Sequence, residues 1–314
     1  MNATLHTADG RSVLRFERRL GHPVPKVWRA VTDAAEMAHW FPASVEMDLR
    51  AGGKIQFAFP GGEMDSGDGV ITELDPPRVF AFTWNGDPLR LELRPDGEGT
   101  LLIFTHTFDD RPMAGSFATG WETCLGALEK TLDVPAGQAP DGPGAPAAYA
   151  ERHDAYLAAF GLGEGTVGED AQGFTVRFER LLPHPVEQVW PELLGAATPT
   201  VGGEPPLRVT NGHVTAGALT EVIEHRVLEY EWLSGGAPAG RVRWELTGGH
   251  PAGTRLVLTQ RGPARPAAER VGALAAWHTQ LELFADHLRG ATRCWPEDRT
   301  EELRGHYAGL VEAR

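Results

Sequence analysis

The feature that most constrains this chain is that it repeats itself. Phe16-Glu17-Arg18-Arg19-Leu20 runs into His22-Pro23-Val24 and Val27-Trp28, while Phe178-Glu179-Arg180-Leu181-Leu182 runs into His184-Pro185-Val186 and Val189-Trp190, an offset of 162 residues. Later matches keep the same order. Arg78 to Trp84, with Glu73 ahead of it, pairs with Arg226 to Trp232 behind Glu221. Thr100 to Thr105 pairs with Thr254 to Thr259, and Trp121, Leu125 and Leu128 pair with Trp277, Leu281 and Phe284. An ordered repeat of this length implies one fold used twice. The 314 residues suit that reading, because a single domain usually takes roughly 100 to 200.

The copies are unequal. Trp28 to Glu73 spans 45 positions but Trp190 to Glu221 only 31, so the second copy lacks fourteen residues, including the counterpart of Trp40-Phe41-Pro42. A helix or a hairpin is expected to be missing there, with a smaller or more open pocket as the result. The Pro- and Gly-rich stretch 135–146 looks at first like a linker. However, helical spacing follows it through residues 149–160, with Tyr156, and recurs at residues 301–311, with Tyr307. Each copy is therefore expected to end in its own helix, with residues 1–163 as the first domain, 172–314 as the second, and the junction among the glycines of 161–173.

Within the first copy, residues 13–20 read as a strand, and Pro23-Val24-Pro25 opens a helix at positions that tolerate proline. Asp33 is placed to cap a second short helix. A period of two then runs through Ile55, Phe57 and Phe59, through Phe80, Phe82 and Trp84, through Leu89, Leu91 and Leu93, and through Leu102 and Phe104. Phe117, Trp121, Leu125, Leu128 and Leu132 finally form the apolar stripe of a long helix. That stripe needs an apolar partner, and only a bent antiparallel sheet is large enough. Each copy is thus an α+β domain of order β-α-α, about six strands, then α. A sheet wrapped around a helix leaves room for a pocket between them.

The net charge of -14 opposes binding to phosphate backbones, so no nucleic-acid partner is expected. The apolar runs are too short for membrane insertion. Met1 to Arg15 lacks the pattern of a signal peptide, from which a cytoplasmic location is expected. Two cysteines, Cys124 and Cys294, are too few for a disulfide framework or a cysteine zinc site, and both are expected to be buried and structural. Glycine pieces such as Gly61-Gly62 and Gly67-Asp68-Gly69 lack nucleotide-binding spacing and read as turns. No serine nucleophile elbow or metal-binding histidine pair is present, so no catalytic residue, metal or cofactor is assigned. His22 and His184 recur beside proline, which marks helix entry rather than chemistry.

Ligand contacts in the first copy are assigned to Trp40, Phe57, Phe59, Phe82, Trp84, Phe104, His106, Trp121 and Glu122. The aromatic members serve equally as core. His106 and Glu122 are the polar candidates, since a buried histidine and carboxylate can exchange protons. The second copy has Gln260 and His278 at those places.

These pieces together resemble the START-like or SRPBCC superfamily. The nearest likeness is to the group named for the activator of heat-shock-protein-ninety ATPase. The residues that carry it are His22-Pro23-Val24, Trp40-Phe41-Pro42, Gly52-Gly53-Lys54-Ile55, Pro76-Pro77-Arg78-Val79, Phe82-Thr83-Trp84 and Gly120-Trp121-Glu122. The resemblance implies two tandem helix-grip domains and a small hydrophobic or aromatic ligand in a cavity of the first, without defined catalysis. Two other functions stay open: a cofactor-independent polyketide aromatase/cyclase, and a chaperone-interacting or regulatory protein.

Overall fold

The computed structural model describes residues 3–59, 67–134, 146–171, 173–250, 253–291 and 293–312. It divides into two compact units, Met1–Phe160 and Gly161–Arg314. Each is a bent antiparallel sheet with a long helix, as the alternation of periods two and 3.6 requires. The stretches 60–66 and 135–145 lie outside the described residues, and with them Gly61-Gly62 and the Pro- and Gly-rich segment.

The first unit runs β1 (Ala3–Ala8), β2 (Arg11–Leu20), α1 (Val24–Thr32), α2 (Ala34–Met37), β3 (Ser44–Met47), β4 (Lys54–Ala58), β5 (Gly67–Asp75), β6 (Val79–Trp84), β7 (Asp87–Asp96), β8 (Gly99–Phe108), α3 (Ala114–Asp133) and α4 (Pro146–Ala159). Its eight strands are ordered β1-β2-β8-β7-β6-β5-β4-β3. Pro23 caps α1, and the Asp33 carboxylate caps α2 by accepting from the backbone N–H groups of Ala35 and Glu36. In α3 the stripe Trp121, Leu125, Leu128 and Leu132 is buried, and Phe117 is half-buried.

The second unit runs β9 (Thr166–Asp170), β10 (Gly173–Leu182), α5 (Val186–Leu194), a single 3₁₀ turn at Leu207–Val209, β11 (Thr215–Ile223), β12 (Val227–Ser234), β13 (Ala237–His250), β14 (Gly253–Gly262), α6 (Ala267–Leu288) and α7 (Glu297–Glu312). Its six strands are ordered β11-β12-β13-β14-β10-β9. The counterparts of α2, β3 and β4 are absent among the described residues, so the missing fourteen residues correspond to a helical turn and a hairpin.

Both units solve the entry to their first helix in the same way. Thr100 Oγ donates to the His22 carbonyl at 2.7 Å, and Thr254 Oγ donates to the His184 carbonyl at 2.7 Å. His22 and His184 thus contribute backbone oxygens to a structural tie.

Three details differ from the sequence reading. Edge strands β1 and β9 extend each sheet by one strand; their exposed, polar sequences carry little periodicity. Gly67 and Gly69 lie inside β5 rather than in a turn. A Cβ on Gly69 would sit 1.7 Å from the Thr83 carbonyl oxygen, and one on Gly67 would sit 2.3 Å from Trp84 Nε1, so close approach to β6 demands glycine. Cys294 is exposed; Cys124 is half-buried, and burial pushes its thiol up to about 12, so it stays protonated at neutral pH. None of the described helices is long and apolar enough to cross a membrane.

Candidate functional site

The aromatic residues singled out in the first unit come together on the concave face of its sheet. Phe57 stacks on Trp84 at 4.6 Å between ring centroids, Phe59 on Trp84 at 5.6 Å, and Phe104 meets Trp121 at 4.7 Å. Trp40 is anchored by its indole N–H, which donates to the Ala30 carbonyl at 2.9 Å. The centre of this group is occupied by a residue that the sequence reading left out of the site. The Phe41 ring lies 5.3 to 6.3 Å from those of Trp40, Phe57, Phe82, Trp84 and Trp121. Phe41, Phe57, Phe82, Phe104, Trp40 and Trp121 are all buried, whereas Phe59 and Trp84 form a half-buried rim. Rings at these separations fill one another's space.

The two polar candidates of the first unit are engaged by different partners. His106 accepts the Trp121 indole N–H on Nδ1 at 3.1 Å, and its Nε2 faces Asp87 at 3.6 Å. Glu122 accepts the Tyr156 hydroxyl, which ties α4 to α3, and lies 3.8 Å from the Arg18 guanidinium. The second unit repeats both ties with other residues. Gln260 Oε1 accepts the Trp277 indole N–H at 2.6 Å. His278 Nδ1 lies 2.8 Å from the Tyr307 hydroxyl. That hydroxyl also accepts the Gly165 N–H at 2.8 Å, and with the Nε2 of His278 facing the Glu282 carboxylate at 3.4 Å, Nδ1 is left to accept the Tyr307 O–H. Burial lowers the His278 pKa, against the raising effect of Glu282, which keeps the ring a neutral acceptor. A strand residue holding the tryptophan, and a helix residue holding the terminal tyrosine, are features of architecture in both units.

An open cleft of about 770 Å³ lies in the second unit, for which the sequence reading expects a smaller or more open pocket than in the first. Its walls are the loop Leu207 to His213, the C-terminal half of α6 from Ala276 to His287, and residues Ala291 to Arg304 leading into α7. The loop is pinned from beneath. Tyr230 Oη and Trp244 Nε1 both donate to the Val209 carbonyl, at 2.9 and 3.0 Å, and Gln280 Nε2 donates to the Arg208 carbonyl at 2.7 Å. Asn211 Oδ1 closes a turn by accepting the backbone N–H groups of His213 at 3.0 Å and Val214 at 3.4 Å. Its orientation is thereby fixed, and Asn211 Nδ2 is buried with no partner among the described residues. The His213 pKa is lowered by burial and then by the positive charge of Arg304, with Glu269 opposing.

The order of elements, the ties and the packed concave face can now be set beside known proteins. Residues 22–133 match the family model described as Activator of Hsp90 ATPase homolog 1-like protein. The first unit carries an AHSA1-like domain. Similar solved structures include CalU16 from Micromonospora echinospora, 26% identical over 51% of this chain and 96% of that one, with a TM-score of 0.40. A conserved protein of unknown function from Enterococcus faecalis is 18% identical over 50% of this chain and 89% of its own, with a TM-score of 0.42. An AHSA1-like protein from Aeromonas hydrophila is 20% identical over 38% and 92%, with a TM-score of 0.35. No curated protein matches the chain. The match ends at Asp133, so α4 and the whole second unit, cleft included, lie beyond the AHSA1-like residues.

Proposed function

We propose that this chain is a small-molecule-binding protein without defined catalysis, and that its binding site is the cleft of the second unit. The observation that carries the reading is the cleft itself. Its volume of about 770 Å³ falls within the roughly 300 to 1,000 Å³ of small-molecule sites. Apolar Leu207, Leu283 and Trp295 share its lining with directional polar groups. A ligand in the first unit has less support, because Phe41 and its neighbours occupy the space between helix and sheet; entry there would be at the Phe59 and Trp84 rim. Cyclase chemistry needs free polar groups pointing inward, and His106 and Glu122 are held by Trp121 and Tyr156. A role on a chaperone rests on the family's name alone, which a shared fold does not transfer.

Trp295, half exposed at the cleft, makes the reading testable. Titrating the whole chain with a panel of aromatic and lipid-like compounds should give saturable tryptophan quenching that is reduced in Trp295→Phe, with native mass spectrometry giving a stoichiometry of one. Absence of saturable binding by either method would sink the proposal.

A further inference from the structure

We infer that the second-unit cleft recognises an organic anion, an acid whose charged head meets Arg208 and Asn211 while an apolar body lies along Leu207 and Trp295. This rests on the reading of the cleft as the binding site. The chain as a whole carries a net charge of -14, yet the cleft lining includes Arg208, Arg293 and Arg304 and, among the described residues, no aspartate or glutamate.

Charge alone would be weak evidence, since surface arginines usually have partners, and here some do. Arg293 lies 3.2 Å from Asp286, Arg304 lies 3.0 Å from Glu301, and His287 lies 2.7 Å from Glu192. These carboxylates stand outside the lining. Arg208 differs. Its Nη1 donates to the Glu192 carbonyl at 2.7 Å, and among the described residues it pairs with no carboxylate. A guanidinium has five N–H donors and no acceptor, and its planar fork matches a carboxylate or sulfonate.

Asn211 supplies the second, independent indication. It is 5% exposed, its carbonyl oxygen is spent on the turn, and its amide nitrogen has no partner among the described residues. A buried donor without a partner is rare in a folded chain, and the residue that carries this one lines the cleft. On the same loop, burial and then the positive charge of Arg304 lower the His213 pKa, so Arg304 acts on the loop that carries Arg208 and Asn211. The groups named here without a carboxylate or carbonyl partner, the remaining N–H groups of Arg208 and the Asn211 amide, are donors, and their complement is an anion. The apolar half of the ligand follows from Leu207, 86% exposed, and Trp295, 37% exposed, at the mouth of the same cleft. A polyanion is a poor match. It would meet the repulsion of the whole acidic surface, whereas a small acid feels mainly charges within the roughly 8 to 10 Å screening length.

Two dyes with one aromatic frame separate the possibilities on the full chain: anilinonaphthalene sulfonate, an anion, and N-phenylnaphthylamine, its neutral analogue. The sulfonate should bind saturably and roughly tenfold or more tighter than the amine. Asn211→Asp keeps the turn acceptor while placing a negative charge in the cleft, and Arg208→Gln removes the unpaired cation. Each should weaken the sulfonate roughly tenfold and leave the amine unchanged. Arg304→Gln, at an exposed position, serves as the third variant should either of these fail to fold by circular dichroism. Equal affinity for the two dyes, with both lost in Leu207→Asp, would overturn anion selectivity while keeping the cleft as the site. Binding of neither dye, or binding indifferent to all four substitutions, would overturn the site as well.

Discussion

The two units fill the hollow between helix and sheet by different means. In the first, an inserted segment forms α2 and lengthens the sheet beyond β5 with β4 and β3, and it brings Phe41 into a group of aromatic rings. In the second, the segment is shorter by fourteen residues, and larger side chains on the sheet stand in its place. Strand pairing sets Phe80 opposite Leu91 and Leu228 opposite Trp244, so Trp244 stands where the first unit has a leucine, and Tyr230 stands where it has Phe82. Both enlarged side chains end in a donor, and both donors meet the carbonyl of Val209. An apolar plug closes a hollow from all sides. A loop fastened by hydrogen bonds holds its place without covering its flanks, and the flank left uncovered is the cleft beside α6.

The largest effect that can break this comparison is removal of the plug. Phe41→Ala should cost about 3 to 5 kcal/mol in denaturant unfolding, confined to the transition of the first unit. A loss below about 1 kcal/mol would mean that the ring is peripheral. Next comes the tryptophan tie. His106→Leu orphans the Trp121 N–H and should destabilise by about 1 to 3 kcal/mol, whereas His106→Gln copies the second unit's Gln260 and should cost less than half as much. Equal losses for the two substitutions would show that the tie is not a hydrogen bond in function.

The smallest effect is electrostatic and belongs to the second unit. Burial works against the Glu282 charge, but His278 and Arg299, the latter at 2.8 Å, outweigh it and hold the carboxyl at about 2, below its ordinary 4.5. A carboxyl depressed on folding stabilises the protein above its unfolded pKa. That contribution is lost as pH falls from about 4.5 towards 2. Thermal melting followed between pH 6 and pH 2 should therefore show a steeper acid limb for the parent than for Glu282→Gln. Parallel limbs would remove Glu282 from the account.

Much of this architecture can be read from spacing. The stripe Trp121, Leu125, Leu128 and Leu132 and the alternation in β6 to β8 are local periodicities, and they become the buried faces of helix and sheet. Period two also places Phe57 with Phe59 and Phe82 with Trp84, and all four gather at one cluster. What periodicity does not carry is reach. Trp40-Phe41 is visible as a pair, but which of the two enters the centre depends on a turn and on rings far away in sequence. His106 and Glu122 fall on elements lining the hollow, yet their polar atoms turn to Trp121 and Tyr156. The cleft is harder still, because Arg208, Asn211 and His213 lie on a loop without period and meet Trp295 and Arg304 only through the packing of α6 and α7. The one local sign was Asn211-Gly212, a turn dipeptide whose side chain can satisfy backbone groups.

The Val209 carbonyl has a consequence beyond packing. A carbonyl oxygen offers two lone pairs, and here both are taken by indole and phenol donors from neighbouring strands. The loop is thereby fixed in register: sliding it by one residue would strand two buried donors at once. The floor of the cleft consequently behaves as part of the sheet rather than as a lid, and the surface it offers is already formed.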